Sequence, residues 1–230
     1  MQEIILKAEN ITKSYKAKSK IYTQVLKGIT LDIYKGEFLA IIGPSGAGKS
    51  TLLHLLGKLD YVDEGNIELR LDNKIFDYYK LNSNEESLLR NKHIGFVFQF
   101  HHLLAEFTAL ENAMLPALIA GVSFIEAKKK AKELLEIVGV NHRAEHKPSE
   151  ISGGEQQRVA IARALINSPE IVFADEPTGN LDMKNAQAVL KLFQELREKF
   201  KLTFVVATHS IEVATLAERV IKIKDGLLED

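Results

Sequence analysis

The feature that most restricts the fold is a glycine-rich segment, GPSGAGKS, at residues 43–50. It directly follows the apolar run EFLAIIG, which predicts a buried strand, and directly precedes GKSTLLHLLGKL, in which leucines recur at helical spacing. A strand, a loop of the pattern G-x-x-x-x-G-K-[ST] and a helix, in this order, are typical of a loop that wraps a phosphate chain. The simpler alternative is a glycine-rich turn with an exposed lysine, which does not explain the two flanking elements.

The residue types of this loop suit a nucleoside triphosphate with Mg²⁺. Glycine lets the backbone approach a phosphate in conformations that other residues avoid, and Gly46 and Gly48 permit this approach. Lys49 is expected to place its positive charge on the β and γ phosphates, and the Ser50 hydroxyl is expected to take a position on Mg²⁺. The amino terminus of the following helix adds the positive end of its dipole.

Two adjacent acids end a second apolar run, IVFADEPT, at Ile171–Thr178. In folds with a phosphate loop, such a strand delivers its carboxyl end beside that loop. Asp175 is therefore expected to hold the water shell of Mg²⁺, and Glu176 is expected to polarise the attacking water as a general base. Without the phosphate loop, a solvated loop after a strand would be the better explanation of this acidic pair.

A second glycine motif, ISGGEQQR at Ile151–Arg158, lies at the start of another predicted helix. Exposed N–H groups and a hydroxyl at a helix amino terminus form an anion site, so the chain offers two phosphate cradles. The alternative for this motif taken alone is a serine N-cap and nothing more.

Apolar strands alternate with helices along the chain, which predicts an α/β fold with a mostly parallel sheet covered on both faces. Between Gln99 and Ser152 the character changes, because Thr108 with Glu111, and Ser123 with Glu126, have the capping-box spacing that begins a helix. This middle part is predicted to be all-helical. The predicted strands are VLKGITLDI, EFLAIIG, GNIELRL, IGFVF, EIVFAD and LTFVVAT, and the chain ends in a hairpin, RVIKIKDGLLE, that turns at its Asp-Gly pair.

Composition argues against several classes of protein. The 30 basic and 31 acidic side chains nearly cancel, which argues against a non-specific nucleic-acid binder, and the absence of cysteine excludes disulfides and thiolate metal sites. Charged residues interrupt MQEIILKAEN, so no signal peptide is expected and the chain is predicted to be cytoplasmic. The longest uncharged apolar stretch, Asn112 to Ile125, is shorter than the roughly 20 residues of a membrane span, and it is predicted to be a buried or interfacial helix.

Six motifs in a fixed order carry a resemblance to a known family. They are the loop GPSGAGKST, Gln99, ISGGEQQR, IVFADE, GNLD and His209 in VATHS, and they are similar to the Walker A loop, Q-loop glutamine, signature, Walker B, D-loop and switch histidine of ATP-binding cassette (ABC) ATPases. The resemblance covers essentially the whole chain. It implies one P-loop NTPase domain over 1–230, in which 1–98 and 155–230 form a nucleotide-binding core with an antiparallel β subdomain and 99–154 form the helical subdomain.

The resemblance also implies the ligands and their contacts. Glu176 and His209 are the expected catalytic residues, with His209 positioning phosphate and water. Tyr15 in ITKSYK, ahead of the first strand pair, matches the aromatic residue that stacks on adenine, although a core or surface tyrosine is the alternative. Mg²⁺ is expected at Ser50, Gln99 and Asp175. ATP is expected at Tyr15, Gly43, Pro44, Ser45, Gly46, Ala47, Gly48, Lys49, Ser50 and Thr51.

In the ABC family two subunits close head to tail, and each ATP lies between the Walker A loop of one chain and the signature of the other. The resemblance therefore implies a dimer of this chain. Ser152, Gly153, Gly154 and Glu155 are expected to meet the γ-phosphate across the interface, and Asp182 is expected to couple the two sites. Such closure excludes water and strengthens charge stabilisation, so a monomer should hydrolyse ATP poorly.

The single cassette, the balanced charge and the absence of a long coiled coil favour the ATPase subunit of a transporter whose membrane-spanning permease subunits are other polypeptides. Among transporters the chain is most similar to ATPase subunits of bacterial lipoprotein-releasing complexes, which implies a peripheral position on the cytoplasmic face of the inner membrane. A macrolide or peptide exporter or a cell-division complex is the alternative. A soluble ABC factor acting on nucleic acid is the more distant one, and no nucleic-acid partner is expected.

The segment FHHLLAEF, residues 100–107, leaves three interpretations open. A metal site is disfavoured, because adjacent histidines diverge and no third ligand is suitably spaced. Core packing is the second interpretation. The third, a surface that receives a helix of the membrane partner, is favoured because the segment is apolar with polar rims and follows the Q-loop glutamine. The residues predicted for docking are Phe100, His101, His102, Leu103 and Leu104.

Overall fold

A computed structural model describes residues 2–16, 22–71 and 74–229. The chain divides into two compact units, a first unit of Met1–Ser87 with Thr203–Asp230 and a second unit of Leu88–Leu202. The predicted boundaries at residues 99 and 154 follow helix content and motif order instead of compactness, and they stay a prediction.

The secondary structure alternates strands and helices. The strands are β1 (Ile4–Lys16), β2 (Tyr22–Tyr34), β3 (Phe38–Ile42), β4 (Glu64–Leu71), β5 (Lys74–Asp77), β6 (Ile94–Val97), β7 (Ile171–Asp175), β8 (Thr203–Thr208), β9 (Arg219–Lys224) and β10 (Leu227–Glu229). The helices are α1 (Lys49–Leu56), α2 (Ser83–His93), α3 (Ala109–Ile119), α4 (Phe124–Ile137), α5 (Gly153–Leu165), α6 (Met183–Phe200) and α7 (Ile211–Leu216). Two short 3-10 turns lie at Asn141–Arg143 and Pro148–Glu150.

An antiparallel sheet in the first unit has the order β2-β1-β4-β5. Its central strand β1 pairs with β2 on one side and β4 on the other, and the β1–β2 register shifts at several points. Tyr15 lies inside β1 opposite Thr23, so the prediction that it precedes the first strand pair is wrong. The register shifts are the reason, because each one breaks the alternation by which a strand is recognised.

The phosphate-loop strand β3 also belongs to the first unit, where it pairs in parallel with β8 and with β9. A parallel strand covered on both faces has no polar side, so β3 is the apolar run FLAII and β8 contains the apolar run FVVA between two buried threonines. The Phe38 and Phe204 rings stack with their centroids 5.7 Å apart. The predicted hairpin joins β9 to β10, and its turn residues Asp225 and Gly226 both have positive φ, as a two-residue hairpin turn requires.

In the second unit β6 and β7 form a parallel pair, and the helices α3, α4 and α5 pack together. Thr108 begins α3 with the predicted capping box to Glu111, and the Ser123 hydroxyl accepts the Glu126 amide at the start of α4. The prediction of one helix over Asn112 to Ile125 is wrong, because α3 ends at Ile119 and the chain reverses before α4. Among the described residues, no helix is long and apolar enough to cross a bilayer.

Candidate nucleotide-binding site

The phosphate loop requires glycine at specific positions of its backbone. Gly46 and Gly48 have φ of +78° and +105°, in the left-handed region that side chains disfavour. A Cβ at Gly48 would lie 2.7 Å from Cδ2 of Leu26, and a Cβ at Gly43 would collide with the carbonyl oxygen of Ile223 on β9. Both the conformation and the space around this loop therefore exclude larger residues, as the sequence motif predicts.

The helix α1 begins without a side-chain cap. Its N-cap is Gly48, which makes no side-chain cap hydrogen bond, and its first turn contains no acidic residue. The Lys49 side chain is 8% exposed and folds back into the loop, where its ammonium donates to the carbonyl oxygens of Gly43 at 3.0 Å and Pro44 at 3.2 Å. The loop thus surrounds a cation and presents an uncapped helix start, and this arrangement fits a polyphosphate anion.

Tyr15 is held by a carboxylate while part of its ring remains at the surface. Its hydroxyl donates to Asp60 at 2.6 Å, and Lys13 donates to the other oxygen of Asp60 at 2.9 Å. Burial, followed by the hydrogen bond to Asp60, raises the pKa of Tyr15 to about 12, so the phenol stays protonated and keeps donating at neutral pH. The residue is 41% exposed, which leaves area for a stacking partner.

The predicted acidic pair lies in the second unit at the carboxyl end of β7. Ile171 to Ala174 are buried, and Asp175 and Glu176 are half-buried. Glu176 has a φ of +43°, a left-handed conformation that is uncommon for a glutamate. Such conformations persist where the surrounding structure enforces them, and they occur often at functional sites. The backbone therefore changes direction directly after Asp175, between the residue predicted to hold Mg²⁺ and the residue predicted to act as general base.

The predicted Q-loop glutamine is bonded to an asparagine that the sequence interpretation does not single out. The Gln99 side-chain nitrogen donates to Oδ1 of Asn180 at 3.2 Å, and the Asn180 nitrogen donates to the carbonyl of Gln99 at 3.1 Å. A Cβ at the neighbouring Gly179 would lie 2.9 Å from the Gln99 nitrogen. The hydrogen bond to Asn180 uses the side-chain nitrogen of Gln99, so its side-chain oxygen is the atom that can bind a cation. The signal for Asn180 is its place in GNLD.

The signature segment closes the start of α5 on itself. The Ser152 hydroxyl accepts the Glu155 amide, and the Glu155 carboxylate accepts both the Ser152 amide and the Ser152 hydroxyl at 2.8 Å. Arg143 donates to the same carboxylate at 2.8 Å. The hydrogen bond from Arg143, together with the Ser152 amide, lowers the pKa of Glu155 to about 2. The alternative interpretation of this motif, an N-cap, is thus present in the structure, and a role toward phosphate in trans remains a proposal.

Asp182 begins the neighbouring helix α6 by accepting from the backbone and side-chain nitrogens of Asn185. Asn185 also limits the space beside the signature, because a Cβ at Gly154 would lie 2.6 Å from its Oδ1. These contacts lower the pKa of Asp182, with the Asn185 amide as the largest cause. The signature and the predicted D-loop aspartate therefore share one neighbour.

His209 belongs to the first unit, where it directly follows β8 and is exposed. The next residue, Ser210, caps α7 by accepting the Val213 amide. The first unit thus carries the phosphate loop, Tyr15 and His209. The second unit carries Gln99, Asp175, Glu176, Asp182 and the signature, and it brings Gln99 together with the D-loop segment and the signature together with Asp182's helix.

The segment predicted for docking lies in the second unit and exposes apolar side chains. Phe100 is 66% exposed and Leu104 is 43% exposed, whereas Leu103 and His101 are half-buried. Burial lowers the pKa of His101, and its Nε2 atom is buried with no hydrogen-bond partner among the described residues. His102 has a φ of +47° and lies edge-on to the Phe98 ring at 5.1 Å. No group of three or more metal-ligating side chains occurs in the described part of the chain.

A family model described as ABC transporter matches residues 26–179 of the chain. The chain belongs to the ABC transporter family. A protein of Saccharophagus degradans named lipoprotein-releasing system ATP-binding protein LolD is 49% identical over 228 residues, which cover 99% of this chain and 98% of the relative. A protein of the same name from Bacteroides fragilis is 52% identical over 218 residues, covering 95% and 97%.

Solved structures of ABC cassettes are also similar to this chain. The dimeric ABC transporter cassette MJ0796 is 43% identical, with a TM-score of 0.88 and coverage of 98% of this chain and 97% of that one. The same cassette is known as a dimer in a post-hydrolysis state bound to ADP and Pi. These comparisons confirm the predicted ABC ATPase fold, the ATP-hydrolysing class and the similarity to ATPases of lipoprotein-releasing systems. They do not test the roles of individual residues.

Proposed function

We propose that this chain is the ATP-hydrolysing subunit of an ABC transporter that releases lipoproteins from the inner membrane toward the outer membrane. Near-complete coverage of relatives named for a lipoprotein-releasing system supports the cargo. The observation that carries the nucleotide chemistry is the uncapped start of α1 with Lys49 folded into its loop. The chain would act as a peripheral protein on the cytoplasmic face of that membrane, bound to permease subunits.

In this proposal the phosphate loop, Gly43 to Thr51, binds the phosphates through its amides and through the Lys49 ammonium. Tyr15 stacks on adenine, oriented by its hydrogen bond to Asp60. Oxygens of Ser50, Gln99 and Asp175, which are the hard ligands that Mg²⁺ prefers, would hold this ion, and it would supply charge neutralisation at the phosphates.

Hydrolysis in this proposal uses two further side chains. The Glu176 carboxylate accepts a proton from the attacking water as the water oxygen bonds to the γ-phosphorus, and the bond to the bridging oxygen of ADP breaks. His209 orients the γ-phosphate and the water. Because the protein forms no covalent bond with the substrate in this mechanism, most of the rate enhancement comes from positioning and charge stabilisation.

The dimer is proposed to form around two ATP molecules. Ser152, Gly153, Gly154 and Glu155 of one copy would approach the γ-phosphate bound to the other, and Asp182 would couple the two sites. The Ser152 hydroxyl donates to Glu155 in this structure, so in the ATP-bound dimer that donor would turn from the carboxylate to the phosphate.

The proposed permease contact is the exposed apolar edge formed by Phe100 and Leu104, with His101, His102 and Leu103 beside it. A macrolide or peptide exporter or a cell-division complex would use the same ATPase with another cargo. Affinity purification from native membranes, followed by identification of the co-purifying membrane-spanning chains, distinguishes these cargoes. Salt-sensitive DNA or RNA binding would instead favour the nucleic-acid class.

The replacement Glu176→Gln tests the catalytic assignment. The amide cannot accept the proton from water, so we expect kcat to fall about 10² to 10⁴-fold, while ATP affinity and ATP-dependent dimer formation are kept. Hydrolysis is measured as phosphate release, and dimer formation by size-exclusion chromatography with ATP. The control is Glu195→Gln at an exposed position of α6. Full turnover by Glu176→Gln would overturn the assignment of the base.

A further inference from the structure

The segment after Gln99 has no regular secondary structure, yet side chains of the second unit hold its backbone at defined points. The docking segment is defined as residues 100–107. A loop outside helices and sheets must form hydrogen bonds from its carbonyl and amide groups to side chains or water, because unpaired buried backbone groups are costly. Two side chains, Arg163 on α5 and Asn112 on α3, supply such partners.

Arg163 holds the first half of the docking segment. Its Nη2 donates to the carbonyl of His101 at 2.7 Å, and its Nη1 donates to the carbonyl of His102 at 2.6 Å. One planar guanidinium therefore bridges two consecutive carbonyls of a loop in which His102 has positive φ. The five donors of arginine have a fixed fork geometry that matches paired acceptors, whereas a lysine ammonium is a single point donor.

Asn112 holds the second half. It is 1% exposed, its Oδ1 accepts the Leu104 amide at 2.7 Å, and its Nδ2 donates to the carbonyls of Leu104 at 3.0 Å and Phe107 at 3.1 Å. The backbone is therefore fixed at both ends, while Phe100, Leu104 and Phe107 direct apolar side chains to the surface. Backbone groups carry the support, and the exposed side chains stay available to a partner.

The position of Arg163 links the docking segment to the signature, because both lie on or beside α5. It lies near the carboxyl end of α5, the helix that begins at Gly153 directly after Ser152, so the two ends are separated by about 15 Å at roughly 1.5 Å per residue. A regular helix moves as a rigid element. A displacement of the signature end of α5 is therefore delivered to the two carbonyls that Arg163 holds.

We propose that Arg163 is a positioning residue that couples the signature end of α5 to the docking segment through the carbonyls of His101 and His102. The inference rests on the proposed function, because it assumes that ATP contacts Ser152 to Glu155 in a dimer. ATP binding at the signature then changes the backbone of the docking segment. Asn112 on α3 holds the second half of the segment, and Arg163 on α5 carries the change to its first half.

The test compares hydrogen–deuterium exchange with and without Mg-ATP in the Glu176→Gln background, where ATP is expected to persist. In that protein we expect ATP to slow exchange both at residues 152–156 and in the docking segment. Adding Arg163→Met should raise exchange in the docking segment about tenfold without nucleotide, since two charge-assisted hydrogen bonds are lost. The response of that segment to ATP should disappear, while the response at 152–156 remains.

The matched control is Arg158→Met. Arg158 lies on the same helix and donates to one carbonyl, that of Val138, at 2.7 Å, away from the docking segment. Its replacement should leave the ATP response of the docking segment intact. Arg163→Lys keeps the charge and the stem but not the fork, and it should show a reduced response even if the methionine variant folds poorly.

Three results would contradict the inference in distinguishable ways. An unchanged ATP response of the docking segment in both Arg163 variants would show that the coupling does not pass through this guanidinium. A similar loss in Arg158→Met would show that any damage to α5 suffices. If ATP does not slow exchange at residues 152–156 in the Glu176→Gln protein itself, the proposed dimer fails, and the coupling proposal fails with it.

Discussion

The two helices that begin in glycine motifs, α1 and α5, differ in how their amino termini are capped. The N-cap of α1 is Gly48 in the left-handed conformation, with no side-chain cap, no acid in the first turn and a lysine as the first helical residue. The N-cap of α5 is Ser152, which forms a complete capping box with Glu155. The amino terminus of α1 therefore has no side-chain cap, whereas that of α5 is capped by its own side chains.

This difference assigns the two motifs different physical roles. The start of α1 carries positive potential and a buried ammonium, so it gains most when an anion binds. The start of α5 already carries the Glu155 carboxylate, which Arg143 balances, so it is a stable surface in the absence of a ligand. If phosphate approaches α5 in trans, as proposed, it contacts an end that needs no nucleotide to fold. Both motifs satisfy the same sequence rule, and only their side-chain contacts distinguish them.

Of the effects that compare the two helix starts, the largest is expected from the ammonium at α1. Replacing Lys49 with Met keeps the buried stem but removes charge-assisted hydrogen bonds worth roughly 1.5–3 kcal/mol, so ATP affinity should fall about 10 to 100-fold. Titration with a fluorescent ATP analogue measures the change. Lys191→Met, at an exposed position of α6, should bind like the unmodified chain. Unchanged affinity in Lys49→Met would show that the loop does not bind phosphate as its geometry indicates.

A smaller effect is expected when the glycines at the two helix starts are replaced by alanine. Gly48→Ala places a Cβ 2.7 Å from Leu26 at a φ of +105°, whereas Gly153→Ala places one 3.7 Å from Leu181, an ordinary contact. We expect Gly48→Ala to lower the free energy of unfolding by about 1–3 kcal/mol, and Gly153→Ala to change it by less than about 0.5 kcal/mol. Urea denaturation compares the two, and each variant is the control for the other. Equal destabilisation would mean that α5 also requires glycine for its backbone.

Part of this architecture could be predicted from local patterns. Buried parallel strands such as β3 and β8 consist mainly of apolar residues in succession. The start of α3 is indicated by the capping-box residues Thr108 and Glu111. Local patterns do not predict the long strand β1, because register shifts interrupt its alternation. The stretch from Asn112 to Ile125 reads as a single apolar helix, but the chain reverses at Gly121, whose φ is +83°. Elements with one uninterrupted period are predictable, and elements with a break are not.

The functional residues divide in the same way. Gly48 and Lys49 follow from residue type, because the chemistry of a phosphate loop restricts these positions. The support given by Arg163, Asn180 and Asn112 does not follow, since each is a contact of a side chain with a loop, and in the first two cases the partners are distant in the chain. No local pattern encodes such contacts. The roles of Glu176 and His209 stay predictions.

The smallest expected effect depends on pH and concerns the carboxylate that closes α5. The pKa of Glu155 is lowered from 4.5 to about 2, first by Arg143 and then by the Ser152 amide, so its ionised form stabilises the folded state. A lowered folded-state pKa gives stabilisation that is complete above the unfolded-state pKa and is lost as pH falls from about 4.5 toward about 2. Glu155→Gln keeps a side chain suited to the capping box but removes the charge.

We therefore expect Glu155→Gln to lower the free energy of unfolding by about 1 kcal/mol near pH 7, and by less near pH 3. Urea denaturation of both proteins at the two pH values measures this difference. Glu195→Gln, at an exposed position of α6, should show a small effect that does not depend on pH in the same way. A destabilisation by Glu155→Gln that is equal at both pH values would mean that hydrogen-bond geometry alone stabilises α5, and the contrast with α1 would then lie in the shape of the cap and not in its charge.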